Sequence, residues 1–219
     1  MDKFFILLAP HYCLGCGVKG QVVCANCLQD ACSDSQNYCL KCGGTIADRC
    51  RRCCLPFEKS WQVSSREGVL KSLLDTYKFE SVRAAAGPIA EALSTCLPIL
   101  PASTVVVTIP TIPGHIRQRG FDHTKLVARR LAKFKGCAHK ELLRRKNNTV
   151  QFGKSARVRR AQAKEAFACS AVLDPKVPYL IIDDTCTTGA TVTEAAKVLK
   201  AAGAKRVWVA VVARQSIDK

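Results

Sequence analysis

Four C-x-x-C pairs near the start of the chain constrain its fold more than any other feature. Cys13 and Cys16, Cys24 and Cys27, Cys39 and Cys42, and Cys50 and Cys53 make two copies of C-x2-C-x7-C-x2-C, the second offset from the first by 26 residues. The neighbours repeat too, since YCLGCG at 12–17 returns as YCLKCG at 38–43. So short a segment has little apolar core, and metal must provide its folding energy. Each repeat offers four thiolates on two tight knuckles, the donor set of a tetrahedral structural zinc with no position left for water. Two structural zinc ions in tandem ribbons are therefore expected. The grouping of the eight thiolates stays open, and Cys32 and Cys54 can each replace a ligand. Disulfides would need an oxidising compartment. FFILLA at 4–9 is too short for a secretory signal and follows Asp2 and Lys3, so it reads as a helix packed on the domain. Cys96, Cys137 and Cys169 read as core residues.

Toward the other end, residues 179–191 read YLIIDDTCTTGAT. The four apolar residues at 179–182 suit a central strand of a parallel sheet covered on both faces. Asp183 and Asp184 then fall at its carboxyl end, the edge where open α/β sheets bind ligands. Thr187, Thr188, Gly189, Ala190 and Thr191 keep side chains small where a helix begins, so backbone amides can close on an anion and share the helix dipole. The plainer reading is a strand ending in a polar turn capped by Thr191, with solvated aspartates. Against it, two acids directly after an apolar strand are costly unless paired, hydrogen-bonded or useful. The segment closely resembles the phosphoribosyl-pyrophosphate (PRPP) signature of type I phosphoribosyltransferases. That resemblance implies that Asp183 and Asp184 bind the ribose hydroxyls, aided by magnesium, and that 187–191 hold the 5′-phosphate. Cys186 reads as a small filler, although a thiol beside a helix N-terminus can have a lowered pKa.

The formal net charge is +17, and it is unevenly placed. Between Gly114 and Lys164 sixteen Lys or Arg face only Asp122 and Glu141. Arg117 and Arg119 follow the apolar run 104–110 across a loop holding Pro110, Pro113 and Gly114, where they can clamp a pyrophosphate. The remainder, including Arg129, Arg130, Lys133, Arg144, Arg145, Arg159 and Arg160, exceeds what one PRPP can use. Single-stranded DNA is the natural further ligand, although Phe121, Phe134 and Phe152 are few for base stacking. No apolar run approaches the roughly 20 residues that span a bilayer, so no transmembrane segment and a cytoplasmic location are expected.

The division expected is 1–55 for the ribbons and 56–219 for an α/β domain of the type I phosphoribosyltransferase kind, a parallel sheet with flanking helices. Periodicity places strands at 57–63, 104–109, 167–173, 179–183 and 206–214. Helices are expected around 69–77, across 82–96 with a break near Gly87 and Pro88, over 120–134 with Leu126, Val127, Leu131 and Phe134 inward, and over 191–202. Residues 144–160 read as a loop leading into a basic helix, and His115 and His123 as solvated loop residues.

Together with the block 108–132, the segment 149–151 and the stretch 159–167, these features are similar to the ComF family of competence-associated phosphoribosyltransferase-like proteins. Family members usually show R-G-F-N-Q where this chain has Arg119, Gly120, Phe121, Asp122 and His123, and often Asn where Gln162 stands. The resemblance implies a role in natural competence and DNA uptake, with uptake machinery such as a competence helicase as a partner. Two functions follow. One is transfer from PRPP with pyrophosphate release, in which Asp183 and Asp184 oppose an oxocarbenium-like charge. The other is a non-catalytic accessory protein that handles single-stranded DNA and senses a phosphoribosyl ligand.

Overall fold

The structure is a computed structural model that describes residues 11–32, 39–42, 44, 50, 53–146 and 166–215. The apolar lead-in at 1–9 and the segment 147–165, with its expected basic helix, lie outside the described residues. In chain order the elements are α1 (Ala25–Cys32), β1 (Lys59–Ser65), α2 (Gly68–Phe79), a 3-10 turn (Arg83–Ala85), α3 (Ala86–Cys96), β2 (Val105–Thr108), α4 (Pro113–Arg119), α5 (His123–Lys135), β3 (Ala138–Lys140), β4 (Leu143–Arg145), β5 (Phe167–Cys169), β6 (Pro178–Cys186), α6 (Ala190–Ala201) and β7 (Arg206–Arg214).

Five strands form one sheet in the order β1-β7-β6-β2-β3, with every neighbouring pair parallel. The apolar run at 179–182 is thus in the middle strand, as its unbroken hydrophobicity requires when both faces are covered. β4 and β5 make a separate antiparallel pair. Alternation along the strands sorts the core into two faces. Leu180 and Ile182 join Leu73, Leu74, Ile89, Leu93 and Leu131 from α2, α3 and α5. Tyr179 and Ile181 join Val192 and Leu199 from α6, with Phe167 beyond. The two ribbon repeats divide between these faces: Val22, Val23 and Leu28 belong to the first, Leu40 and Leu55 to the second.

Three local expectations are corrected. The break expected near Gly87 and Pro88 falls slightly earlier, at Ala85 and Ala86, where the 3-10 turn passes into α3; Pro88 lies in the first turn of α3, where proline is tolerated. Pro113 and Gly114, expected in the loop ahead of Arg117 and Arg119, already open the helix α4 that carries both arginines, ended by Gly120 in the left-handed conformation at φ 74°. Phe134 is 55% exposed, since the buried stripe of α5 runs through Val127, Ala128, Leu131 and Ala132 instead.

Candidate functional site

Strand order reverses between β2 and β6: from β2 the chain continues outward to β3, and from β6 it continues the other way to β7. Crevices at such switch points, outside the strands' carboxyl ends, are where open α/β sheets take ligands. A cleft of about 260 Å³ lies there, lined by 109–112 after β2, His115 and Arg119 of α4, His123 and Thr124 of α5, Lys78 of α2, Arg145 of β4, and Asp183, Asp184 and Thr191.

Alternation on β6 turns the two acids to opposite sides. Asp184 follows Ile182 toward α2 and α5, and both its oxygens are engaged there. Lys78 Nζ stands 2.9 Å from Oδ1, and His123 Nε2 stands 2.8 Å from Oδ2. Lys78 also donates to Thr185 Oγ1 at 3.0 Å. Arg119 Nη1 approaches His123 Nδ1 at 2.9 Å, and an arginine only donates, so Nδ1 accepts and Nε2 carries the proton given to Asp184. Burial pushes Asp184 upward, but Lys78 and the hydrogen bond from His123 outweigh it and hold the carboxyl below the ordinary carboxylate range. Asp183 has no such partners; burial and the neighbouring Asp184 push it up to about 7. Its Oδ1 accepts from the backbone N–H of Asp184 at 2.9 Å.

The supports for these groups are local. Asp122 caps α5 by accepting from the Lys125 amide at 3.1 Å and from Thr111 Oγ1 at 2.8 Å, which ties the turn after β2 to the helix that presents His123. Tyr77 Oη donates to the His123 carbonyl at 2.7 Å, fixing the start of α5 against α2. Arg145 Nε donates to the Pro110 carbonyl at 2.8 Å and its guanidinium lies 5.1 Å over the Phe167 ring, so this arginine is held at the cleft rather than offered to solvent.

Of the residues expected from sequence, Asp183, Asp184, Arg119 and Thr191 line the cleft, and Thr187, Thr188, Gly189 and Ala190 form the turn into α6. Arg117 is exposed and outside the lining. His123 is buried rather than solvated, and His115 lies partly buried in the cleft wall, where burial and Arg119 lower its pKa. Cys186 is a buried filler whose thiol is pushed up to about 11 by burial, so the helix start does not activate it. Lys78 and the cleft role of Arg145 were missed. Lys78 sits one position beyond Tyr77 in an ordinary amphipathic helix, and only sheet topology brings it to Asp184; no local motif marks it.

The cysteines group as the repeat suggests. The four Sγ atoms of Cys13, Cys16, Cys24 and Cys27 lie within 4.8 Å of one another, as do those of Cys39, Cys42, Cys50 and Cys53. Cys16 and Cys24 are 3.7 Å apart, and Cys42 and Cys50 3.8 Å. Zinc–sulfur bonds of about 2.3 Å in a tetrahedron place sulfurs about 3.8 Å apart, so both sets fit the ion. The amides of Gly15 and Cys24 point at Cys13 Sγ, at 3.4 and 3.3 Å, as suits a thiolate. Cys32 belongs to neither set; it is buried in the core beside α3. Magnesium is a different case. It demands near-octahedral oxygen ligands, whereas Asp184 already holds two cationic or hydrogen-bonding side chains, so the donor set there fits side-chain cations rather than a metal ion.

No family model matches the chain. A protein of Salmonella typhi called DNA utilization protein YhgH is 30% identical over 204 residues, spanning 85% of this chain and 88% of its own. The chain belongs to the ComF family. Competence protein F of Haemophilus influenzae is 28% identical over 95% of this chain and 97% of its own, and competence protein ComFC of Streptococcus pneumoniae is 28% identical over 84% of each. This ComF chain thus carries a five-stranded parallel sheet together with two tetracysteine clusters. Among solved structures, an allosteric regulatory enzyme of purine biosynthesis aligns over 59% of this chain and 26% of its own, with 19% identity and a TM-score of 0.43, a likeness too slight to carry weight.

Proposed function

We propose that the cleft binds PRPP or a related phosphoribosyl ligand, and that the chain transfers the phosphoribosyl group to a nitrogen acceptor with release of pyrophosphate, in the handling of incoming DNA. The observation that carries this reading is the meeting of the paired acids with Lys78, Arg119 and Arg145 in one cleft at the switch point of the sheet. Asp183 and the Asp184 edge would receive the ribose hydroxyls, the turn 187–191 the 5′-phosphate, and the arginines the departing diphosphate. As the bond from ribose C1 to the diphosphate oxygen breaks, positive charge grows on the ring, and the acids oppose it while the cations neutralise the leaving group. The acceptor nitrogen forms the new bond to C1 and gives its proton to water.

The names of the relatives, DNA utilization and competence, support placing this chemistry in DNA uptake beside machinery such as a competence helicase. Residues 1–55 would serve as a metal-held clasp on the domain of 56–219. The two tetracysteine sets need thiolates kept reduced, which suits a cytoplasmic location, and no helix among the described residues is long and apolar enough to cross a membrane. A second reading rests on the exposed Arg129, Lys133 and Arg144, which lie outside the cleft lining. They favour a protein that handles single-stranded DNA and only senses the ligand. Calorimetry with PRPP, followed by a search for pyrophosphate release across candidate bases, separates the two: turnover supports the transferase, and binding without turnover supports the sensor.

A further inference from the structure

The cation nearest the paired acids comes from a helix outside the loop signature. Lys78, in the last turn of α2, keeps its side chain only 12% exposed while touching Asp184 and Thr185. Ordering a lysine there costs rotamer entropy, and burying an ammonium costs desolvation unless a partner matches it. Asp184 is that partner, and the result is a fixed positive charge at the end of the middle strand, inside the cleft. A divalent cation at a diphosphate site neutralises ligand oxygens and links them to a carboxylate. An ammonium has three donors. In Lys78 one is directed to Asp184 and one to Thr185, which leaves a third for a ligand oxygen. Arg119 and Arg145 add two more cations on the same wall, and His123 occupies the other oxygen of Asp184.

We propose that Lys78 takes the place of a divalent cation at Asp184, so that the cleft binds a phosphoribosyl diphosphate without metal. The proposal rests on the reading of the cleft as a phosphoribosyl site. A lysine that merely locked α2 to β6 would matter for stability and leave the metal dependence of binding untouched.

The test is calorimetric titration of PRPP into the full, zinc-loaded chain. The buffer is stripped of free divalent ions by a resin, so that the ribbons keep their zinc, and the titration is then repeated with magnesium added. Wild-type affinity is expected to differ between the two buffers by less than about threefold. Lys78→Met is expected to lose about tenfold or more in the stripped buffer, the loss of one charge-assisted hydrogen bond, and to regain affinity when magnesium can reach the vacated Asp184. Wild-type binding that appears only with magnesium, or Lys78→Met binding as tightly as wild type in the stripped buffer, overturns the role of Lys78. Absence of binding in both buffers overturns the phosphoribosyl reading itself. The wild-type comparison decides the matter alone if Lys78→Met does not fold.

Discussion

The backbone oxygen of Leu40 lies 3.2 Å from where a Cβ on Gly189 would stand. The first knuckle of the second repeat, which holds Cys39 and Cys42, therefore rests directly on the turn that opens α6. Gly189 is there for two reasons: its φ is 70°, in the left-handed region, and a side chain would press on the Leu40 oxygen, which would have to give by a few tenths of an ångström. Cys186 fits the same contact, with Sγ 3.9 Å from the Leu40 oxygen.

Gly189→Ala should therefore lower stability by roughly 1–2 kcal/mol from the left-handed backbone alone, before the contact with Leu40 is counted. Gly189→Val should cost more and abolish ligand binding. Urea unfolding curves check this; an unchanged midpoint for Gly189→Ala would show that the turn relaxes freely.

Metal analysis should find two zinc ions per chain, one for each set of four thiolates. Ribbon residues such as Leu28 and Leu40 share cores with the two faces of the sheet. Chelation should accordingly lower the melting temperature of the whole chain as well as unfold the ribbons, because it uncovers apolar surface on both. A sheet domain that melts unchanged after zinc removal would contradict the shared cores.

How much of this was legible follows from where the information sits. The middle strand, the paired acids and the last strand, seen at Arg206–Arg214 as expected, are marked by contiguous residues. The cysteine sets are marked by a repeat. His123 reads from sequence as a solvated loop residue and Arg145 as part of the DNA-facing excess, and nothing local marks Lys78, because each reaches the cleft from a different element and only strand order makes them neighbours. Phe134 misled because helical period defines a stripe but not how far along the helix the sheet extends beneath it.

Asp183 gives a pH signature. Its pKa is raised to about 7 in the folded chain, above the ordinary value of 3.8, so the folded state binds the extra proton between those values. The contribution of Asp183 to stability should thus be greatest below the ordinary value and fall as pH rises toward about 7, where the charged form is buried beside Asp184. Asp183→Asn should melt higher than wild type at about pH 8, with the difference vanishing near pH 4. Asp184, held low, contributes with the opposite sign, its stabilisation being lost progressively as pH falls below the ordinary carboxylate value. A pH-independent gap between Asp183→Asn and wild type would refute the assignment.

Single-stranded DNA binding should depend on the exposed cations and not on the cleft. Because Arg145 is part of the cleft wall, the charge reversal that isolates DNA contacts is Arg129→Glu, Lys133→Glu and Arg144→Glu. Fluorescence anisotropy at several salt concentrations should give a log–log slope of roughly −0.7 per contacted phosphate, with little sequence preference. The triple variant should bind DNA less tightly and PRPP as before. A flat salt response would remove DNA from the account.

The central claim is that the acids after the middle strand hold a phosphoribosyl ligand, and equilibrium dialysis with radiolabelled PRPP tests it most directly. Wild type should bind saturably, while Asp183→Ala combined with Asp184→Ala should bind nothing measurable yet keep a cooperative melting transition, since both acids stand at the strand's cleft end. Equal binding by a folded double variant would contradict the account and leave 179–191 as a strand and a turn.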